Sequence, residues 1–293
     1  METTVRATRF LAIVIVVTVL VPARLPALPH AADPASPYTS SIQVDWTAGI
    51  IRAEVELNLG KAGIRLPSGR LEAEQSLALA VPDLVRQVAL GVGLDSWRTI
   101  SDSLDDGSLD PSVFEVFLES GRLARSSLSR DLGSLLATYE WRLASLGALY
   151  IKHSVPMELP TPERYVPTRD YSGIVIYVQG VYDVRGEHRT ESLRPCLFPR
   201  IYDEAMTPIL ERNVQDPAQL RAQGSVAYAT SLDDPILEAR AGDAPLRMIA
   251  TQIFGSDRTD VILRSDDALK ILGSEENRNL IRSGKVVLVI NEP

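Results

Sequence analysis

The 293-residue chain is short of the residues on which common enzyme chemistry depends. It contains one cysteine, Cys196, and three histidines, of which only His153 and His188 lie beyond residue 32. The motifs G-x-S-x-G, S-x-x-K and H-E-x-x-H and the phosphate-binding P-loop do not occur. We therefore predict that the protein is not an enzyme, and we assign no catalytic, cofactor-binding or metal-binding residue and no cofactor.

A single cysteine excludes an intramolecular disulfide. It also excludes a bacterial lipid anchor, because that modification needs a cysteine directly after the cleavage site and Cys196 is far from the N-terminus. Two interpretations of Cys196 remain at this point. It is a small buried apolar residue, or it forms a disulfide bridge to another molecule.

The chain has 30 basic and 38 acidic residues, which gives a net charge of −8. Only four of the basic residues are lysines. Removal of residues 1–32 takes away three Arg and one Glu, which leaves 27 basic against 37 acidic residues, a net charge of −10. Such a charge argues against nucleic acid and anionic lipid headgroups as partners.

The first 32 residues are predicted to be a signal peptide. Arg6 and Arg9 precede an apolar run from residue 10 to 21, and a segment of prolines and small residues ends at Ala32. This order is typical of a cleavable secretory signal, and it predicts export to the periplasm. The alternative is an inner-membrane anchor formed by residues 10–21, although a spanning helix needs about 20 apolar residues. Contact with a membrane is expected only if the signal is uncleaved.

The remainder is long enough for two domains of ordinary size. Four prolines between residues 155 and 169 favour extended backbone there, which predicts a semi-rigid linker. We predict an α+β fold with an N-terminal domain at 41–154 and a C-terminal domain at 170–293.

In the first domain the pattern predicts strands at both ends and helices between them. A strand is predicted over Ile42–Leu59, and a helix follows a cap at Ser68. Pro82 should kink that helix or begin the next. Asp110-Pro111 should open a helix that reaches about Leu123, and residues 134–151 look strand-like.

The second domain is predicted to be mainly β, with two short helices and a final strand near its end. The helices should begin at caps Ser265 and Ser274. The predicted strands are residues 173–179, a hairpin formed by 197–203 and 209–212, then 225–230, 246–253 and 285–290.

Four candidate sites are weighed against structural interpretations. Gly91-Val92-Gly93 lacks the third glycine of a dinucleotide fingerprint and follows a helix, so it is interpreted as a helix terminus. His153, at a strand end, is interpreted as structural. Two further sets match neither zinc nor EF-hand spacing and are interpreted as solvated or helix-terminal charges. These sets are Asp183, Glu187, His188, Glu191 and Cys196, and Asp257, Asp260, Asp266 and Asp267.

Several segments of the second domain together resemble a bacterial envelope family. They are Tyr171–Ile176, Leu193–Asp203, Pro245–Ala250, Thr259–Ile262, Asp266–Ala268 and Gly284–Val289. In this order they resemble the FlgP-like proteins, relatives of small outer-membrane lipoproteins, some of which form disks around flagellar motors. The strand-helix-helix-strand plan of the first domain is similar to dodecin-like modules. The whole arrangement is closest in plan to uncharacterised two-domain envelope proteins of spirochaetes.

The resemblance implies a non-catalytic structural or assembly protein of the periplasm or cell envelope, associated with the flagellar motor and motility. Its partners would be further copies of itself or other envelope proteins. The alternative is a periplasmic binding module for a cell-wall component or a small ligand, in which the two linked domains form a cleft. A binding groove should contain exposed aromatic side chains, and aromatics make up 6% of the chain.

Overall fold

The computed structural model describes residues 36–163 and 165–292. The predicted signal peptide at 1–32 and the alternative anchor at 10–21 lie outside these ranges. Among the helices of the described ranges, none has the length and hydropathy that a membrane span requires. The chain forms two mixed α+β domains, as the sequence predicted.

The first domain is a four-stranded antiparallel sheet with helices packed on one face. The strand order is β1-β2-β4-β3. Every fourth residue of the longest helix is buried against the sheet, beginning at Ala73 and ending at Ala89. The elements in chain order are β1 (Tyr38–Asp45), β2 (Ile50–Asn58), α1 (Arg70–Leu90), α2 (Ile100–Asp105), α3 (Pro111–Glu119), β3 (Arg122–Leu128), β4 (Ser134–Arg142) and α4 (Leu143–Ala148).

Two strand predictions in this domain were wrong. The single strand predicted over 42–59 is a hairpin, because the backbone reverses at Gly49, which has a φ of +66°. The strand-like segment 134–151 is β4 followed by α4. Leu143 and Leu146 are buried at the spacing of one helical turn, which is the signal that was missed.

The helix boundaries were partly right. Asp110 caps α3, since its carboxylate accepts the Ser112 N–H at 2.8 Å. However, α3 ends at Glu119, and Leu123 already belongs to β3. Pro82 lies inside α1 and does not begin a new helix, and Gly69 rather than Ser68 precedes the first turn of α1.

The second domain contains a parallel sheet of order β10-β14-β5-β11 and a mixed sheet of order β12-β13-β8-β9. A 3₁₀ turn spans Arg212–Val214. The elements in chain order are β5 (Ile174–Tyr177), β6 (Tyr182–Asp183), β7 (Thr190–Glu191), β8 (Ile201–Asp203), β9 (Pro208–Leu210), α5 (Pro217–Gln223), β10 (Ala227–Ala229), α6 (Pro235–Ala241), β11 (Leu246–Ile249), β12 (Gln252–Phe254), β13 (Asp260–Leu263), α7 (Ser265–Leu272), α8 (Glu275–Arg282) and β14 (Val286–Val289).

The predicted final strand, β14, is confirmed and lies inside the parallel sheet between β5 and β10. All four of its residues are fully buried. Val286 and Leu288 join the main core of the domain, whereas Val287 and Val289 face a smaller cluster that includes Leu237 of α6. A strand buried on both faces explains the continuous apolar run in the sequence.

Other predictions for the second domain need correction. Helices α5 and α6 were missed, although Asp216-Pro217 and Asp234-Pro235 repeat the capping pattern seen at α3. The segment 246–253 is not one strand, because β11 and the beginning of β12 belong to different sheets. Ser274 caps α8 as predicted, but Ser265 is the first residue of α7 and not its cap.

The proline-rich segment contains no helix or strand in its described residues, 155–163 and 165–169. It runs along the surface of the second domain. The Met157 N–H donates to Asn213 O at 2.8 Å, and Thr168 Oγ1 donates to Lys270 O at 3.0 Å. Val155 and Tyr165 are exposed.

Candidate functional site

The two domains meet along a seam formed by the loop after α1. Leu197 and Phe198 donate backbone hydrogen bonds to the carbonyls of Gly93 and Leu94, both at 2.9 Å. A Cβ atom on Gly93 would lie 3.3 Å from Cys196 Cβ, so the glycine permits this close approach. The Gly-Val-Gly motif is therefore a docking loop, and Gly91 ends α1 as predicted.

Side chains cross the seam in both directions. Leu197, Phe198 and Leu220 of the second domain belong to the hydrophobic core of the first. Trp46 of the first domain packs against the core of the second, and its ring lies 5.6 Å from that of Tyr228 in an edge-on arrangement. The shared core gives the two domains a defined relative orientation.

Cys196 is buried in this seam with 1% of its surface exposed. Burial raises the pKa of its thiol, which keeps the sulfur protonated. The Tyr228 hydroxyl accepts the Cys196 N–H at 3.0 Å and donates to Cys196 O at 2.8 Å. This environment confirms the interpretation as a buried apolar residue and leaves the thiol inaccessible to another molecule.

Asp260 lies in β13, next to the seam, and not in a calcium-binding loop. Its Oδ1 accepts the Arg200 N–H at 2.9 Å, whereas Oδ2 is buried and has no hydrogen-bond partner. Burial raises the pKa of this carboxyl group. The neighbouring Thr259 hydroxyl lies 2.8 Å from that of Ser96, a polar contact between the two domains.

The two candidate metal sets do not assemble. Asp267 pairs with Arg264 and Lys270 at 3.0 and 2.7 Å, which accounts for one member of the acidic set. Within the described ranges, no group of three or more His, Cys, Asp or Glu side chains is arranged to hold a metal ion.

In the other set, from Asp183 to Cys196, two carboxylates pair with an arginine that the sequence analysis did not identify as a partner. Glu187 and Glu191 flank the Arg258 guanidinium at 3.1 and 3.5 Å. Arg258 is 2% exposed and has a φ of +59°. The prediction described these carboxylates as solvated loop charges. In the structure they are partners of a buried cation.

His153 lies at the seam, with Nε2 2.9 Å from Gln215 O.

A cleft of about 270 Å³ opens between the domains beside the seam. Its walls combine the β1–β2 turn and the start of α4 with the segment around Cys196, the end of α5, β10 and α6. Three aromatic side chains and several aliphatic ones line it. They are Trp46, Phe198 and Tyr228, with Ile50, Leu143, Leu197, Leu220, Val226 and Ile236.

The charged residues that line the cleft are two arginines, one from each domain, and no described carboxylate lines it. Arg142 donates to Ala222 O at the end of α5. Arg240 donates to Gln223 O at 3.1 Å, Gly224 O at 2.9 Å and Gly284 O at 2.6 Å. Asp45 lies near the rim, but its carboxylate accepts hydrogen bonds from Thr47 and Ala48 in the β1–β2 turn.

Burial lowers the pKa of Arg240 to about 10, so the side chain remains charged at neutral pH. The hydrogen bonds described for both guanidinium groups go to neutral carbonyls. A guanidinium group has five N–H donors, and the three bonds of Arg240 leave donors for a further partner. The cleft therefore joins an apolar wall to two cationic groups.

General acid–base chemistry has little basis in this cleft. Histidine, aspartate and glutamate are not found among its described lining residues. The Ser225 hydroxyl donates to Gln215 Oε1, and the Tyr228 hydroxyl is bonded to the backbone of Cys196. Both hydroxyls are therefore already engaged in hydrogen bonds within the protein.

Residues 37–149 match the family model for the N-terminal domain of Treponema pallidum Tp0624, and residues 173–292 match the model for its second domain. The two matches occur in the order of their names and leave the proline-rich segment between them. This arrangement agrees with the predicted plan of a two-domain spirochaetal protein. No curated protein matches the chain.

Proposed function

Because the chain belongs to the two-domain family of Treponema pallidum Tp0624, we propose a function that uses both domains: non-catalytic binding of a small ligand in the interdomain cleft. The observation that carries this proposal is the cleft lining. Aromatic and aliphatic side chains from both domains meet there beside two arginines, without a carboxylate among the described lining residues. Concave sites with apolar walls and few polar groups are typical ligand sites.

The proposed location is the periplasm. Its support is the predicted signal peptide at residues 1–32. N-terminal sequencing of the protein purified from the cell envelope should find a first residue near Asp33. An intact Met1 in the membrane fraction would contradict export with cleavage and favour the anchor at residues 10–21.

Ligand binding can be tested with octanoate and octanol as probes. The cleft has room for about nine water molecules at roughly 30 Å³ each, which suits a ligand of about ten non-hydrogen atoms. Binding should change the fluorescence of Trp46. The variant Ala48→Phe should place a ring at the cleft mouth and abolish the response, whereas Ala48→Ser should retain it. Failure of both probes to bind at millimolar concentration would contradict the proposal.

Assembly is a second candidate, favoured by one edge of the first sheet. In the described chain β1 pairs with β2 only, in an uninterrupted eight-residue register, and it carries no charge before Asp45. The opposite edge, β3, contains Arg122, Arg125 and a register shift, which are features that protect an edge from pairing. An unprotected edge can accept a strand of another subunit, and the FlgP-like resemblance implies self-association.

The assembly candidate predicts larger particles in light scattering as salt screens the repulsion between acidic subunits. Ser41→Lys would give β1 the kind of charge that β3 has, and it should prevent the association. Gln75→Lys, on the exposed side of α1, adds the same charge away from the edge and should not. A particle that stays monomeric at every salt and protein concentration would remove this candidate.

A further inference from the structure

The cleft has an electrostatic character opposite to that of the whole protein. The chain has a net charge of −8, yet the charged groups described in the cleft lining are both cationic. Arg142 is exposed and Arg240 is half-buried, so one lies nearer to solvent than the other. Both approach the last turn of α5, where their hydrogen bonds go to the carbonyls of three consecutive residues, 222 to 224.

The simplest role for such arginines is structural, since cations stabilise the carbonyl ends of helices. However, the two arginines together carry more positive charge than the helix ends can offset. Each helix C-terminus is equivalent to about half a negative charge at most. The ends of α5 and α8 together therefore offset about one of the two positive charges, and a charge of about +1 remains facing the cleft.

From this imbalance we infer that the ligand is a monoanion with an apolar body, and that its anionic group is held by Arg142 and Arg240 while its body lies against Trp46, Phe198 and Val226. The inference rests on the proposed function and specifies its ligand class. Guanidinium groups bind carboxylates through paired, charge-assisted hydrogen bonds. An anion at this position would also receive one contact from each domain, so that its binding would depend on both.

The test compares octanoate, octanol and octylamine, which share an apolar chain and differ in the charge of the head group. Octanoate should bind at least about tenfold more tightly than octanol, because a hydrogen bond to a charged group contributes more than a neutral one. Octylamine should bind more weakly than octanol. Added salt should weaken the binding of octanoate and leave that of octanol almost unchanged.

Arg142→Gln is the variant of choice, because Arg142 is exposed and its loss should leave the fold intact. It should reduce octanoate affinity by about tenfold and leave octanol affinity unchanged. Arg240→Gln should have the larger effect, but it also removes bonds to three carbonyls, so its folding must be verified by circular dichroism. Arg122→Gln is the matched control, since Arg122 is exposed on β3, away from the cleft lining.

The outcomes separate the ligand class from the proposed function. Equal affinity for octanoate and octanol, or a preference for octylamine, would overturn the anion inference and leave cleft binding in place. An equal loss of octanoate affinity in Arg122→Gln and Arg142→Gln would also overturn it, because the effect would then be one of overall charge. If none of the three probes binds, the proposed function fails together with the inference.

Discussion

The two domains bury their sheets in different ways. In β2 of the first domain, Val55 and Leu57 face the helices, whereas Glu54 and Glu56 are exposed on the other face. In β14 of the second domain every residue is buried, because α6 packs on one side and the main core on the other. The stability of the first domain therefore depends on the contact of one face of its sheet with α1. The stability of the second domain depends on a central strand that is buried on both faces.

The largest effect is expected from removing that central strand. Deletion of residues 285–293 takes away β14 and leaves the ladder groups of β5 and β10 without partners in the middle of the sheet. We expect the second domain to lose cooperative thermal unfolding by circular dichroism and calorimetry. Deletion of residues 292–293 alone is the control. An unchanged melting transition after the longer deletion would show that β14 is dispensable.

The first domain should respond to the loss of a single helix contact. Leu77 of α1 is 1% exposed, and Leu79, two residues later in the same helix, is 81% exposed. Leu77→Ala should lower the free energy of unfolding by about 3 kcal/mol, because it leaves a cavity against the sheet. Leu79→Ala should change it by less than about 0.5 kcal/mol. Similar losses for both variants in urea denaturation would contradict the dependence on the contact between the sheet and α1.

The seam should keep the two domains together after the segment between them is cut. Val155 and Tyr165 are exposed in a stretch without helix or strand, so limited proteolysis should cut there first. We expect the two fragments to elute together in gel filtration, because backbone bonds and a shared core connect the domains. Immediate separation of the fragments would show that the seam is too weak to hold them.

A glycine substitution makes this test more specific. Gly255 has a φ of +95°, and a Cβ atom there would lie 2.5 Å from the Ser96 side chain on the other domain. Gly255→Ala should weaken the seam by about 1–3 kcal/mol and allow the cut fragments to separate. Gly107 has a similar φ of +73° but open space around it. Gly107→Ala therefore controls for backbone strain alone.

The sequence predicted elements whose signal is local. The apolar run at 286–289 and the Asp-Pro cap of α3 each lie within a few residues, and both are confirmed. The change from strand to helix at Leu143 was missed because apolar residues continue through it. The hairpin at Gly49 did have a local signal, since Asp45 accepts hydrogen bonds from Thr47 and Ala48 in the turn. In the second domain, the same Asp-Pro signal could have located α5 and α6.

The cleft could not have been predicted in the same way. Its lining comes from segments of both domains, and Arg142 and Arg240 meet at one helix end although nearly a hundred residues separate them. The low aromatic content also argued against a binding groove. The fold reverses that argument, because it gathers Trp46, Phe198 and Tyr228 at one place.

The smallest expected effect concerns a single buried carboxyl group beside the seam, Asp260. Burial raises the pKa of Asp260 in the folded protein above its unfolded value of about 3.9. The protonated form is therefore favoured by folding, so its contribution to stability is complete below the unfolded pKa. That contribution falls as the pH rises through the folded pKa, by roughly 1.4 kcal/mol for each unit by which the pKa is raised.

Asp260→Asn cannot ionise, and its amide oxygen can still accept the Arg200 N–H. We expect its stability relative to the unaltered protein to increase between pH 4 and pH 7, as measured by urea denaturation at each pH. Asp243→Asn, at an exposed loop position, controls for the loss of one negative charge. A difference between Asp260→Asn and the unaltered protein that stays constant with pH would mean that the carboxyl group titrates normally. That result would mean that the second domain tolerates a charge next to the seam. The Oδ2 atom of Asp260 argues against this, because it is buried and has no hydrogen-bond partner.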